Sequence, residues 1–448
     1  MYVDLTAASG ISLHGYAFEG CIALSTVKLG TSLANIDYCA FKDCKSLTEI
    51  DLSHVSINYT YNYGILQGCT SLETLVVKEF KKDMFRGTVP ESLKTVIVVG
   101  LGDNSSYIPT EAFANCSHIE TIICSFKPLS ISQRAFSGCT SLKNLYIGDN
   151  HISIKEAAFK DCSSLESIDI YGTNIYSIEK SIFEGCTSLK TIRIPYVADS
   201  GLAYYFGGDS YEDNATLVPE SLKTIVITNP RNVKEQSFSG CAHIENVTFL
   251  SEYDYSLGEK AFQGCTSLKS ITVPNRVEVL SECFSGCTSL ESVNLGTGVK
   301  KIYQKTFDGC IKLEKVTFTE QLKNIEQYAF NNCYSLSKIT LPQTLLTIGD
   351  YAFYHCENLA SIFIPNSVTT IGEGAFEGCY MLTTIRLHGQ ITTVGSDAFK
   401  DCYMLSSIVW DATQGTYSHD AAGYNQWATA VGMSSDLFAE RINVRIIG

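Results

Sequence analysis

The chain has 448 residues, of which 45% are hydrophobic and 18% charged, and it carries a formal net charge of −14. Charge this sparse, against roughly 25% in an average soluble domain, excludes a disordered chain when so much of the sequence is apolar. The acidic balance excludes a phosphate-tracking surface, because nucleic-acid binding draws most of its affinity from clustered Lys and Arg. Nucleic acid is therefore not an expected partner.

At the start, Met1 is followed by Tyr2-Val3-Asp4-Leu5-Thr6, with neither a basic region nor an apolar core, so no signal peptide is read there. No apolar run reaches the length of about 18 residues that reads as a membrane span, so membrane insertion is not expected. The closing residues Asn443-Val444-Arg445-Ile446-Ile447-Gly448 carry no lipidation signal, which places any anchor outside them.

From Phe18 onward the chain repeats itself: a Phe, a Cys three residues on, and a Leu three further. Examples are Phe18/Cys21/Leu24, Phe41/Cys44/Leu47, Phe136/Cys139/Leu142, Phe330/Cys333/Leu336 and Phe399/Cys402/Leu405. With Leu66 standing in for Phe, and with Phe85 and Phe206 lacking the Cys, the anchors number 17, and every step from Phe284 to Phe399 is 23 residues. A single core stops growing near roughly 250–300 residues, and stacked repeats escape that limit. After each Cys-x-x-Leu comes a short alternating segment, such as Ser167-Ile168-Asp169-Ile170, Thr191-Ile192-Arg193-Ile194 or Lys338-Ile339-Thr340-Leu341. Period-two alternation predicts a strand with one face buried. A Pro commonly closes it, as at Pro195, Pro274, Pro342 and Pro365, where the missing N–H ends the ladder. A second apolar pair, as in Val368-Thr369-Thr370-Ile371-Gly372, predicts the return path on the opposite side.

The pattern Ala-Phe-x-x-Cys-x-x-Leu-x-x-Ile-x-Ile-Pro-x-x-Val-x-x-Ile-Gly, nearly whole from Ala352 to Gly372, resembles the BspA-type class of leucine-rich repeats, also called the Treponema pallidum type. The resemblance covers about residues 11–410. It implies a β-rich, α/β-type right-handed leucine-rich-repeat solenoid of about 17 coils of ~23 residues, with a parallel sheet on one face and short strands or turns on the other. It also implies adhesion to host proteins or other cells, the role typical of that family's bacterial and protist surface proteins.

Two coils depart from the rule: Phe85 to Phe113 spans 28 residues and Phe206 to Phe238 spans 32. They share the phrase Val89-Pro90-Glu91-Ser92-Leu93-Lys94-Thr95 and Val218-Pro219-Glu220-Ser221-Leu222-Lys223-Thr224, with anchors 121 residues apart, which indicates a duplicated block of about five coils. The irregular stretches lie near residues 80–112 and 201–237, and the loops Gly100–Ile108 and Gly207–Leu217 are expected to project from one edge. Their sequons, Asn104-Ser105-Ser106 and Asn214-Ala215-Thr216, are open to glycosylation in a eukaryotic source. Residues 1–410 thus read as the solenoid, and 411–448 as a cap on its last coil or the start of a following segment.

Fifteen of the 18 Cys occupy the repeat position, and Cys39, Cys124 and Cys283 fall outside it. Equivalent residues of stacked coils point in parallel, which disfavours disulfides, so a ladder of free, buried thiols is expected. Cys283 and Cys287 have no second pair nearby, so no metal is expected. The eight His are scattered, and His118 and His243 share a phase two residues after a Cys, a sign of duplication. No Gly-x-Ser-x-Gly elbow or Walker loop is present. No catalytic residue, cofactor or enzyme activity is expected.

The residues between the two buried positions of each strand point outward at successive coils. In order they are Lys28, Asp51, Val76, Ile97, Ile123, Tyr146, Asp169, Arg193, Val226, Thr248, Thr272, Asn294, Thr317, Thr340, Phe363, Arg386 and Val409. Val76, Ile97, Ile123 and Tyr146 form an apolar run that meets Asp169 and Arg193, a pair expected to bond across strands. Such a run rimmed by charge marks an interaction surface. With Phe363 and Arg386 these residues are the candidate binding positions for an extracellular protein or glycan, in a secreted or cell-surface location. The other class open at this point is a structural spacer or surface-layer element, for which the polar stripe from Thr248 to Thr340 is suited.

Overall fold

The computed structural model describes residues 1–8, 10–57, 64–78, 82–86, 88–99, 107–124, 129–147, 152–170, 175–229, 233–250, 254–388, 390–411, 429 and 443–447. The chain divides into two compact units. One comprises Met1–Pro195, Ala203–Asp209 and Thr216–Leu222, and the other Tyr196–Leu202, Ser210–Ala215 and Lys223–Gly448. Both are β-solenoids with very little helix.

In the first unit each coil contributes one front strand, from Tyr2–Leu5 through Thr26–Leu29, Glu49–Leu52, Thr74–Val77, Thr95–Val98, Thr121–Cys124, Asn144–Ile147 and Ser167–Ile170 to Thr191–Ile194, each parallel to the next. Return strands such as Leu129–Ile131 and Ile152–Ile154 form short parallel ladders of their own. The second unit repeats the plan from Thr224–Ile227 to Lys315–Thr317 and from Ser361–Phe363 to Ser407–Asp411. Asn443–Ile447 adds a further parallel strand to Ser407–Asp411. At 338–341, expected as a strand, none is assigned, and only the alternation is present, with Ile339 and Leu341 buried and Thr340 exposed.

The repeat residues are what the coils bury. Phe330, Phe353, Phe376 and Phe399 stack ring on ring at 5.1, 5.1 and 5.2 Å with interplanar angles of 1° to 3°. In the first unit Phe113, Phe136 and Phe159 stack at 5.1 and 5.5 Å. Burial of one such ring is worth about 1.5–3 kcal/mol, and no single coil could enclose it. The outer turns are joined along the stack by backbone bonds, as where Phe136 N donates to Ala158 O and Gly138 N to Lys160 O, both at 2.8 Å. Holding that geometry places the residue before each repeat Cys at positive φ, as at Gly138 (77°), Asp161 (59°) and Asn332 (58°). Gly, Asp and Asn fill that position in 14 of the 15 Cys coils, with His355 the exception, because these residues tolerate the left-handed region best.

All 18 cysteines are free, and 17 are buried. The thiol ladder has its own bonding: Cys69 Sγ donates to Phe41 O at 3.2 Å, Cys162 to Phe136 O at 3.3 Å and Cys310 to Phe284 O at 3.1 Å, each to the preceding coil.

The stretch Gly207–Leu217 folds into short helical turns, with Gly208 and Asn214 buried and Asp209, Tyr211, Glu212, Ala215, Thr216 and Leu217 exposed. Ser210 caps a 3-10 turn at Tyr211–Asp213, which runs into the helical turn Asn214–Leu217. Asn214 is fully buried and its Nδ2 donates to the carbonyls of Gln236 and Ser237, both at 3.3 Å, so the sequon side chain is turned away from solvent. The amide adds to carbonyls that already accept backbone N–H bonds, Gln236 O from Ser239 N at 3.0 Å and Ser237 O from Leu202 N at 2.9 Å, so the buried amide is itself satisfied. Of the loop Gly100–Ile108 and the sequon at Asn104, only Tyr107 and Ile108 fall within the described residues.

Candidate functional site

In the first unit the front sheet places the expected outward residues at matched register. Val76 pairs with Ile97, Ile97 with Ile123, Ile123 with Tyr146, Tyr146 with Asp169 and Asp169 with Arg193. Their neighbours on either side along each strand point inward: Val96, Val98, Ile122, Cys124 and Leu145 are buried. Adjacent strands lie about 4.8 Å apart, so the six side chains form one unbroken ladder. Val76, Ile97 and Ile123 are half-buried by one another, and Tyr146 stands out at 52% exposure.

A second outward row, which sequence reasoning did not single out, runs beside the first: Thr74, Thr95, Thr121, Asn144, Ser167 and Thr191 pair in the same register. Its signal was present in the residue two positions before each apolar rung. An apolar strip edged by hydroxyls and an amide combines burial with directional bonding, as protein interfaces do.

The ladder ends in charge. Arg193 Nη1 lies 3.6 Å from Asp169 Oδ2, the cross-strand ion pair expected. Asp169 Oδ1 is nevertheless buried without a hydrogen-bond partner among the described residues. Burial pushes the Asp169 carboxyl above its ordinary pKa, and the nearby guanidinium offsets this only in part. In the second unit Phe363 pairs in register with Arg386, whose guanidinium lies over the Phe363 ring at 5.5 Å. These two residues complete each other as a cation–π pair.

The first irregular coil lacks an outer Phe-x-x-Cys turn and leaves a notch of about 950 Å³ lined by Thr70, Val89, Glu91, Glu111, Asn115 and His118. His118 Nε2 has no hydrogen-bond partner there, and burial lowers the imidazole pKa. Only three residues lie between Phe85 and Val89, whereas eleven lie between Phe206 and Val218. In the second unit the additional residues bring Ala215 against the turn at Gly240. Among the described residues no group of His, Cys, Asp and Glu is arranged to hold a metal ion, and no helix is long and apolar enough to cross a membrane.

Comparison with known proteins adds the family. Comparison with curated proteins gives no match. Among solved structures, a leucine-rich repeat protein from Bacteroides ovatus is 22% identical over 92% of each chain, with a TM-score of 0.38. The T. pallidum leucine rich repeat protein is 32% identical over 30% of this chain and 77% of that one, with a TM-score of 0.28. A leucine rich cell surface protein from Faecalibacterium prausnitzii is 20% identical over 87% of this chain and 86% of that one, with a TM-score of 0.29. The model of the BspA type leucine rich repeat region matches in six copies, over residues 4–99, 106–210, 213–336 and 278–406. With coils, anchors and family model in agreement over most of its length, the chain belongs to the BspA-type leucine-rich-repeat family.

Proposed function

We propose that the chain is a non-enzymatic recognition module of a secreted or cell-surface protein, which binds an extracellular protein or glycan through the ladder from Val76 to Arg193. Leucine-rich-repeat proteins are generally used for protein binding and are generally non-enzymatic. The observation that carries the reading is the matched register of four apolar rungs running into Asp169 and Arg193. A strand needs only its inner face to hold a solenoid together, so nothing in the fold requires this outer run. Tyr and Arg are the side chains that most often anchor interfaces, and Tyr146 and Arg193 stand at the charged end of the run.

The spacer reading rests on a different stretch. In the second unit Thr248, Thr272, Asn294, Thr317 and Thr340 are all exposed and short, a hydrated row with nothing to anchor. Spacing and recognition are compatible in one chain if each belongs to its own unit.

The test is a screen of the purified chain against extracellular-matrix proteins and glycans, run beside an Ile123→Asp variant. Recognition through the ladder requires at least one ligand that the wild type retains and Ile123→Asp loses. Equal retention by both proteins, or no ligand at all, assigns the chain to the spacer class.

A further inference from the structure

In the second unit an aromatic ladder climbs the outer turns, away from the front sheet. Tyr328 stacks on Tyr351 at 5.1 Å, Tyr351 meets Tyr354 edge-on at 5.6 Å, Tyr354 meets His355 at 4.3 Å, His355 meets Tyr380 at 5.6 Å, and Tyr380 stacks on Tyr403 at 5.4 Å. Six rings therefore run without a break over successive coils. They are partly to largely exposed, with Tyr403 at 75%. Packing of the solenoid does not call for them, since the coils bury Phe, Cys and Leu instead.

Carboxylates sit at the ring edges. The Tyr351 hydroxyl donates to Glu373 Oε1 at 2.7 Å, Asp401 lies beside the Tyr403 hydroxyl, and Glu357 and Asp401 act on Tyr380. The adjoining cation, Lys400, is taken up by Glu377 at 3.5 Å and Asp397 at 3.9 Å.

Elsewhere the chain shows what such a ring attracts. The Tyr303 hydroxyl donates to Glu278 at 2.5 Å, and Lys301 Nζ lies over its ring at 4.7 Å. The Tyr2 hydroxyl donates to Asp4 at 2.7 Å, and Lys28 Nζ lies over that ring at 5.7 Å. In both, a Tyr tied to a carboxylate carries a cation on its face. Among the described residues no Lys or Arg occupies a face of Tyr380 or Tyr403, whereas Tyr351 is stacked on the Tyr328 ring and has Gly374 packed against it.

We propose that the Tyr328–Tyr403 ladder is a docking site for an arginine-bearing segment of a partner protein, whose guanidinium groups stack on the tyrosine faces and bond the carboxylates at their edges. Arginine is the fitting cation because its planar fork stacks on a ring and reaches a carboxylate at once, which a lysine ammonium does less well. Residues 412–442 of the chain itself do not match in charge: they carry Asp420, Asp436 and Glu440 against the single Arg441.

The test uses the full chain and fluorescein-labelled hexa-arginine, hexalysine and hexaglutamate peptides, followed by anisotropy at about 0.15 M salt, where exposed charges farther apart than about 8 Å are screened. Hexa-arginine should bind several-fold tighter than hexalysine, and hexaglutamate should not bind. A triple variant, Tyr351→Leu, Tyr380→Leu and Tyr403→Leu, leaves net charge unchanged and should weaken hexa-arginine binding at least tenfold. Three single Leu variants, each checked for an unchanged melting transition, should each weaken it several-fold, which separates loss of the rings from loss of the fold. Equal affinity for the two basic peptides, equal affinity of wild type and Leu variants, or no binding of hexa-arginine overturns the proposal.

Discussion

Cys356 Sγ donates to the carbonyl oxygen of Phe330, one coil back, at 3.3 Å. The repeat Cys is thus a small core residue that also closes the hydrogen bonding of the Phe turn beneath it. Cys356→Ala removes the bond and leaves a small void, and should cost about 1–3 kcal/mol in urea unfolding. A loss under about 0.5 kcal/mol, the range of neutral surface changes, would show that the bond is idle.

The thiols also set a pH limit. Burial pushes Cys44 and Cys116 up to about 11, and Cys69, Cys186, Cys287 and Cys402 up to about 12, all from 9.0. Below pH 9 these groups are protonated in both the folded and unfolded chain, and their contribution is intact. Above it the unfolded chain releases protons that the folded chain still holds, so stability falls with rising pH. The melting temperature should be flat from about pH 6 to 8 and then drop steeply from about pH 9 to 12. The double variant Cys69→Ala, Cys287→Ala should drop less steeply from its lower starting point. Reducing agent should change nothing, because the chain has no disulfide to lose.

Turn geometry separates two glycines of the same repeat position. Gly20 has φ +70° and open space where a Cβ would stand, whereas at Gly185, with φ +77°, a Cβ would lie 2.2 Å from Asp161 Oδ1 and 3.1 Å from Asp161 Cα. Gly20→Ala should cost only the left-handed strain, about 1–2 kcal/mol. Gly185→Ala adds the clash and should cost at least about 1 kcal/mol more. Equal losses in paired denaturation curves would mean that the coils slide apart freely at this turn.

Asp169 is held at the expense of stability. Its folded pKa lies above the ordinary value, so the folded state favours the protonated form, and the contribution fades as pH rises through the carboxylate range. Asp169→Asn should leave the melting temperature at pH 7 unchanged or raised while abolishing ligand binding through the ladder. A lowered melting temperature would assign the carboxylate a structural role instead.

Much of this was legible in the sequence because one period governs everything. Once the Phe anchors set the coil, alternation set the strand, and the strand set which of Ile122, Ile123 and Cys124 faced out; the register Ile97–Ile123–Tyr146 followed from spacing alone. Asn214 was misjudged because a coil of irregular length has no period to follow, and a polar sequon reads as surface until its amide is seen to donate to the carbonyls of Gln236 and Ser237. The tyrosine ladder escaped for a different reason. Tyr351 precedes its Phe by two residues, Tyr354 follows it by one, and Tyr380 follows a Cys by one, so contact across coils joins positions that no single phase collects.

The most direct measurement is the dissociation constant of one ligand from the matrix-protein and glycan screen for Ile97→Asp, Ile123→Asp and Tyr146→Ala, with Thr272→Ala and Asn294→Ala of the second unit as controls. Recognition through the ladder requires each of the first three to weaken binding at least tenfold, about 1.4 kcal/mol, with melting temperatures preserved and both controls unchanged. Binding that survives Ile123→Asp and Tyr146→Ala but fails in Thr272→Ala or Asn294→Ala would contradict it and move the recognition surface to the second unit.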